Sequence, residues 1–381
     1  MSERANVIGL KAPALETVRI GIVGLGVRGR QALDRLLVVP GARVTAVCDV
    51  NPARLEGLPG TAFTDWKALC RWDQVDLVYI CTDWRSHTPI ALESMDCGKH
   101  VAVEVPAAGT LEEIWALVRK AEQTRLHCMM LENAVYDRFE QVTLAMARAG
   151  VFGDIVHVEG AYLHRLDFNL ERWRLQYNRE HRGDLYPTHG FGPVCQVLGI
   201  HRGDRLTTLV SMDGASFTGK ALTGDEHFAN ADQTCTLLRT QKGKTLLIEH
   251  NIMTPRPYSR MYQVVGTAGY AAKYPVPQVC LLSAGGEEIL FEGAKLEALQ
   301  AQYAPVGIPP ELRETALAVD GKHGGMDYLM DYRLVQALRK GEALDMDVYD
   351  LAEWCALAPL SALSLEMGCA PVAFPDFTAG E

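Results

Sequence analysis

Tyr186 and His189 stand three residues apart in the stretch GDLYPTHGFGP, with Pro187 and Thr188 between them and Gly190 and Gly192 following. A proline fixes its own φ, and glycines let a backbone run close against a neighbour, so the phenol and the imidazole are presented from a rigid segment. An imidazole titrating near neutral pH and a phenol able to ionise transiently are suited to proton transfer. The elements that would hold such a pair, and what it would work with, are read from the rest of the chain.

With 381 residues, 48% of them hydrophobic, the chain is expected to fold as two domains, because single cores stop growing at about 250 to 300 residues. A formal net charge of −10, without a run of lysine or arginine, argues against nucleic acid or an anionic membrane as partner and favours a small molecule. Ten cysteines are scattered without a CxxC pair, which fits free thiols in a reducing compartment. The start, MSERANVIGLK, lacks the pattern of a secretory signal, and the apolar stretch from Trp354 to Leu365 is too short to span a membrane and contains Pro359. A cytoplasmic address is therefore expected.

The segment TVRIGIVGLGVRGRQAL passes from a β-branched run through Gly24, Gly26 and Gly29 into a helical pattern. In a GxGxxG turn the first glycine permits the bend, the second admits a pyrophosphate, and the third packs helix on strand. A second strand, ARVTAVCDV, ends in Asp49, twenty residues after Gly29. That spacing predicts a carboxylate on the adenosine ribose and a preference for NAD over NADP. The strand-like runs VDLVYICTD, KHVAVEVP and LHCMMLENA alternate with helices over SHTPIALESMDCG and TLEEIWALVRKAEQTR, the latter opened by a Thr110/Glu113 capping box. The alternation predicts a doubly wound parallel sheet, whose ligands lie at the carboxyl ends of its strands, where CTDWRSH, VEVPAA and LENAVY fall.

After a helix in RFEQVTLAMARAG the pattern changes. DIVHVEGAYLH alternates, and hairpins are predicted around Lys242-Gly243 and Gly285-Gly286. Long helices over GMDYLMDYRLVQALRKG and DVYDLAEWCALAPLSALSLEMG should close the chain. The expected fold is α/β: an N-terminal Rossmann domain over residues 1–150 and a C-terminal α+β domain over 151–381. The second domain should carry a large, mostly antiparallel open sheet, with the last helices packing back on the core.

Thr82 to His87, the Glu104-Val105-Pro106 triplet and a histidine at a helix start together resemble the Gfo/Idh/MocA oxidoreductases. In dehydrogenases of that superfamily the middle of the triplet is a proton-relaying lysine; Val105 stands there in this chain. Trp84 within the first motif, with EVPAA, ENAVY, GAYLH, LYPTHGFGPV, HRGDR, VSMD and PRPYSR, more closely resembles glycoside hydrolase family 109, the NAD-dependent glycosidases typified by α-N-acetylgalactosaminidase. Two departures are Asp83, where that family has proline, and a shorter segment between Tyr162 and Arg174.

The resemblance implies that a tightly held NAD contacts Gly24, Gly26, Val27, Arg28 and Gly29, then Asp49, Trp84, Arg85, Ser86, His87, Glu104, Val105 and Asn133. The sugar would contact Tyr162, His164, Arg174, Tyr186, Pro187, Thr188, His189 and Tyr258. The implied chemistry is redox-neutral: transient oxidation at C3 makes the C2 proton acidic, the aglycone leaves by elimination, water adds to the enone, and C3 is reduced again. In that scheme His189 moves protons at O3 and C2, Tyr162 is a second acid–base group and Glu132 a third, and Arg174 balances enolate charge or holds the N-acetyl carbonyl. Each residue also has a structural alternative, His189 as a helix cap, Tyr162 as sheet packing, Arg174 as a solvated helix charge and Tyr258 as part of a rigid turn. His164, His250 beside Glu249, and His323 lack HxxxH or HExxH spacing, so no metal is expected. A net sugar dehydrogenase using free NAD and a non-catalytic sugar sensor are the competing readings, and a homo-oligomer is expected.

Overall fold

The computed structural model describes residues 6–166, 172–303 and 308–379. The apolar run VRIGIV forms β1 (Val18–Val23), buried on both faces as a central parallel strand must be. It leads into α1 (Val27–Leu36), β2 (Ala42–Cys48), β3 (Thr61–Phe63), α2 (Trp66–Arg71), β4 (Leu77–Ile80), α3 (Trp84–Asp96), β5 (His100–Val103), α4 (Leu111–Thr124) and β6 (Cys128–Met130). The strand order β3-β2-β1-β4-β5-β6, parallel throughout, is the doubly wound arrangement expected from the sequence. It reverses direction between β1 and β4, the switch point at which such sheets bind ligands. The capping box of α4 is present, Thr110 Oγ1 accepting from the Glu113 N–H and Glu113 from the Thr110 N–H. The sequence reading started α3 at Ser86; it starts two residues earlier, because Asp83 accepts from the Arg85 N–H as the N-cap.

The rest of the chain adds α5 (Arg138–Arg148), β7 (Ile155–Leu163), α6 (Arg172–Glu180), α7 (Thr188–Leu198), β8 (Leu206–Asp213), α8 (Thr218–Thr223), β9 (Thr234–Thr240), β10 (Thr245–Asn251), β11 (Gln263–Gly266), β12 (Gly269–Ala272), β13 (Gln278–Leu282), β14 (Glu288–Glu292) and α9 (Gly293–Gln300). α10 (Pro310–Val319), α11 (Met326–Lys340), α12 (Val348–Glu366) and β15 (Val372–Ala373) follow. The nine-stranded sheet is ordered β14-β13-β12-β11-β7-β10-β9-β8-β15. Every pairing in it is antiparallel except β10 with β7. Both predicted hairpins form, β9–β10 turning at Lys242-Gly243 and β13–β14 at Gly285-Gly286.

Two compact units result, one made by the chain up to Asn133 with Pro310–Ala356, the other by Ala134–Pro309 with Leu357–Ala379. In the second, α7 lies on β7 so closely that a Cβ at Gly190 would sit 2.3 Å from the Ala161 nitrogen, and one at Gly160 2.2 Å from the Gly190 oxygen. The neighbour that Gly190, the first glycine after His189, approaches is therefore a strand of the same domain. Among the described residues no helix is long and apolar enough to cross a membrane.

At β5 and β6 of the first unit, the buried His100 accepts from the His127 N–H at 3.1 Å, and the two rings lie 5.2 Å apart. Burial pushes both imidazoles down to about 4. Their folded values lie below the unfolded one, so this contribution to stability is whole above about pH 6.5 and is lost as pH falls toward 4. His127→Asn should flatten the acid limb of urea-unfolding stability by about 1.4 kcal/mol per pH unit between pH 6 and 4.5; an unchanged slope contradicts the assignment.

Candidate active site

In the first unit the three glycines of the turn do different work. A Cβ on Gly24, at φ +92°, would lie 2.6 Å from the Cys81 carbonyl oxygen, and one on Gly29 1.8 Å from that of Gly24, whereas Gly26 has nothing within 4 Å. The first and third therefore set the turn and the helix packing, and the second leaves room for a phosphate. Gly26 is also the N-cap of α1, which has no side-chain cap, and anions are favoured at such a helix start. Asp49 accepts from the Leu25 N–H at 2.8 Å and the Asn51 N–H at 2.9 Å, tying the end of β2 to the glycine turn. This cradle fits a dinucleotide, with Val27 exposed at its lip.

Two predicted cofactor residues, Arg28 and Asn133, converge on the carboxylate of Asp327, and a third, Glu104, pairs with Arg28. Arg28 Nη2 pairs with Glu104 at 2.7 Å and with Asp327 at 3.0 Å, and Asn133 Nδ2 donates to Asp327 at 2.8 Å. Burial opposes the charge on Arg28, yet Glu104 and Asp327 keep it protonated; burial likewise opposes ionised Asp327, and Arg28 with His323 holds it well below the usual carboxylate range. Asp327, on α11, was missed from sequence. Asp327 and Asp331 stand four apart on a mostly buried helix, a spacing that asks for buried cations, and Asp331 receives Arg35 at 2.7 Å and the Tyr79 hydroxyl at 2.8 Å. The ligand atoms of Asp320, His323 and Asp327 come within 4.8 Å of one another, but Arg28 and Asn133 already engage Asp327.

The segment after β4 divides. Trp84 and His87 are buried: Trp84 Nε1 donates to the Val105 carbonyl at 3.0 Å, and the His87 ring lies between the carbonyls of Pro106, at 2.8 Å, and Thr82, at 3.1 Å. Both lock the loop after β4 to the loop after β5. Ser86 donates to Asp83, and Arg85 is exposed on the first turn of α3. Glu132, fully buried, lies in the turn after β6 of this unit.

In the second unit Tyr162 is the hub of a ring cluster. Its centroid lies 4.7 Å from His164, 4.8 Å from Tyr186, 4.7 Å from His189 and 6.2 Å from Tyr258. The Arg174 guanidinium carbon lies 5.1 Å from the Tyr186 ring centroid, and Asn178 holds the turn of α6 by donating to the Arg174 carbonyl at 2.9 Å. Tyr162, His164, Arg174, Tyr186, His189 and Tyr258 are thus brought together from β7, α6, α7 and the loop before β11. Pro187 and Thr188 are buried where α7 begins, and the Pro187 carbonyl accepts from Gly190 and Phe191. Burial, with His189 and Arg174 near, pushes the His164 imidazole down to about 4, so the ring is neutral at physiological pH.

Two further groups were not among the site residues expected from the sequence, where His250 was weighed only as a metal ligand and Asp184 not at all. His250 pairs in register with Tyr162 across β10 and β7; burial, with His164 near, pushes its imidazole down to about 3. Asp184 is fully buried two residues before Tyr186. Its N–H donates to Ser361 Oγ at 2.9 Å, and burial pushes its carboxyl up to about 8 against the backbone amide of Tyr186. Its folded pKa lies above the unfolded value near 4, so folding takes up a proton between those values and stability falls as pH rises. Asp184→Asn should remove that slope, about 1.4 kcal/mol per pH unit, making the variant more stable than the parent at pH 8 in urea unfolding; equal pH dependence contradicts it.

Residues 18–132 match the Oxidoreductase family, NAD-binding Rossmann fold, and residues 136–381 match the Glycosyl hydrolase 109, C-terminal domain. Glycosyl hydrolase family 109 protein 1 of Bacteroides thetaiotaomicron and the Glycosyl hydrolase family 109 protein of Porphyromonas gingivalis are each 52% identical to this chain, over 100% of it and 88% of their own length. Among solved structures, a levoglucosan dehydrogenase with NADH and levoglucosan aligns with a TM-score of 0.74 at 18% identity, covering 94% of this chain and 100% of that one. An oxidoreductase from Agrobacterium radiobacter with NAD+, L-tartaric acid and magnesium aligns at 0.71 and 17% identity, covering 94% and 98%. These structures share the fold of an NAD-binding oxidoreductase. With an NAD-binding Rossmann domain joined to that C-terminal domain, the chain belongs to glycoside hydrolase family 109.

Proposed function

We propose that the chain hydrolyses N-acetylgalactosaminides, as the α anomer and with retention, through transient oxidation of the sugar at C3. The observation that carries this reading is the ring cluster around Tyr162, which gathers phenols, imidazoles and one guanidinium. Ordinary glycosidases work with two carboxylates across the scissile bond, whereas NAD-dependent ones are an exception. NAD, tightly held at the glycine turn, supplies reversible oxidation at C3 and is regenerated within each turnover.

The protein's own groups supply the rest. His189 accepts the O3 proton, gives it up to solvent, and as the neutral imidazole then removes the C2 proton, made acidic by the neighbouring ketone. Tyr162 is the second acid–base group, exchanging protons with the departing aglycone oxygen and the incoming water. Arg174 balances the charge that develops on the enolate oxygen or holds the N-acetyl carbonyl, and Tyr186 and Tyr258 shape the pocket. A net dehydrogenase is less well supported, because the buried Val105 has no proton to relay.

The purified protein without added NAD, given a chromogenic α-N-acetylgalactosaminide in D₂O, should release chromophore and place deuterium at C2. His189→Ala should lower kcat by ~10²- to 10⁴-fold and abolish the exchange. Cleavage without exchange at C2 contradicts the elimination, and accumulating NADH points to a dehydrogenase. We further propose a cytoplasmic homo-oligomer, supported by ten free cysteines and by exposed Met212 and Leu237 on the open face of the nine-stranded sheet. Sedimentation at micromolar concentration should find more than one copy per particle; a monomer contradicts this.

A further inference from the structure

We infer that Arg260 is a positioning residue that fixes Tyr258 as a hydrogen-bond donor, so that the sugar atom read by Tyr258 is an acceptor oxygen. The inference rests on the glycoside-binding reading of the ring cluster. The segment carrying Tyr258 is zipped to β7: Ser259 exchanges both backbone hydrogen bonds with Leu163, at 2.9 and 3.0 Å, and the Arg260 carbonyl accepts from the Ala161 N–H at 2.8 Å. In an extended segment, residues two apart point the same way, which puts the side chains of Tyr258 and Arg260 on one side.

The guanidinium of Arg260 cannot move far. It is buried, its Nη2 lying 2.6 Å from Glu140 Oε1 and 2.8 Å from Asp137 Oδ2, with Nε 3.2 Å from Glu140 Oε1. Lys273 Nζ, 2.5 Å from Asp137 and 2.9 Å from Glu140, completes two cations facing two carboxylates. The remaining edge, Nη1, donates to the Tyr258 hydroxyl oxygen at 3.1 Å. A guanidinium has donors only and stays protonated, so at this contact the phenol oxygen can only accept. The phenol's own proton is thereby directed to another partner.

Tyr258 is 43% exposed, and its ring lies 5.2 Å from His164 and 6.2 Å from Tyr162, at the edge of the cluster assigned to the sugar. A phenol able to rotate freely would meet a hydroxyl either as donor or as acceptor. Held by Arg260 it selects a lone pair, such as that of a carbonyl or ring-hydroxyl oxygen. Arg260 touches no reacting atom in this scheme and acts through Tyr258.

The test is a double-mutant cycle on the full chain purified with its NAD, with p-nitrophenyl α-N-acetylgalactosaminide as probe. Tyr258→Phe and Arg260→Lys should each raise KM about tenfold with kcat within about twofold, the scale of one hydrogen bond in binding. The double variant should be no worse than Tyr258→Phe alone. Additive losses, or a fall in kcat at unchanged KM, overturn the positioning role. In 3-fluorotyrosine-labelled protein without sugar, the fluorine resonance that vanishes in Tyr258→Phe should shift or split in Arg260→Lys; an unmoved line overturns the inference. Failure of the parent protein to cleave the probe counts against the glycosidase reading alone, and the fluorine line then decides the Arg260–Tyr258 contact.

Discussion

The site hangs on one steric constraint, the close passage of α7 over β7. Gly190 and Gly160 face each other where a side chain on either would collide with backbone oxygen or nitrogen, so only hydrogen fits at both. That approach puts His189, one residue before Gly190, 4.7 Å from the ring of Tyr162, two residues after Gly160. Close-packed interiors do not accommodate an added methyl without displacement. The backbone positions from which the two acid–base candidates reach each other are therefore fixed by this approach.

Each unit carries buried charge among its candidate site residues, handled in the same manner. In the first, Arg28 lies between Glu104 and Asp327, with Asn133 on the same carboxylate; in the second, Arg260 lies between Glu140 and Asp137 and reaches Tyr258. A buried ion pair is a weak source of stability, since desolvation offsets most of the attraction, but losing one partner strands the other charge. Such groups are consequently held in one geometry, which suits residues that must present a donor or an acceptor to a ligand.

What could be read from the sequence followed from separation along the chain. The glycine turn, Asp49, the Thr110/Glu113 capping box and the two hairpin turns are local patterns, and their spacing alone carries the physics. The ring cluster was reachable only through family likeness, because β7, α6, α7 and the loop before β11 meet across nearly a hundred positions of sequence, as the contact of Tyr162 with Tyr258 requires. Asp327 was missed because its partner Arg28 lies 299 positions away, and Arg260 because Glu140 lies 120 away. The parallel pairing of β10 with β7, which brings His250 beside Tyr162, has no signature in either strand's alternation. Trp84 and His87 were expected as cofactor contacts, yet their hydrogen bonds join two loops, a role that composition does not distinguish from ligand binding.

The most direct measurement follows an isotope at the carbon proposed to be oxidised and reduced. With deuterium at C3 of an N-acetylgalactosaminide, single turnovers of the NAD-loaded protein should slow, and the released sugar should carry the deuterium back at C3. An unchanged rate with cleavage complete would mean that C3 is never oxidised and that the phenol and imidazole serve some other chemistry, whereas a product that has lost the label would mean that the hydride taken from C3 is not the one given back.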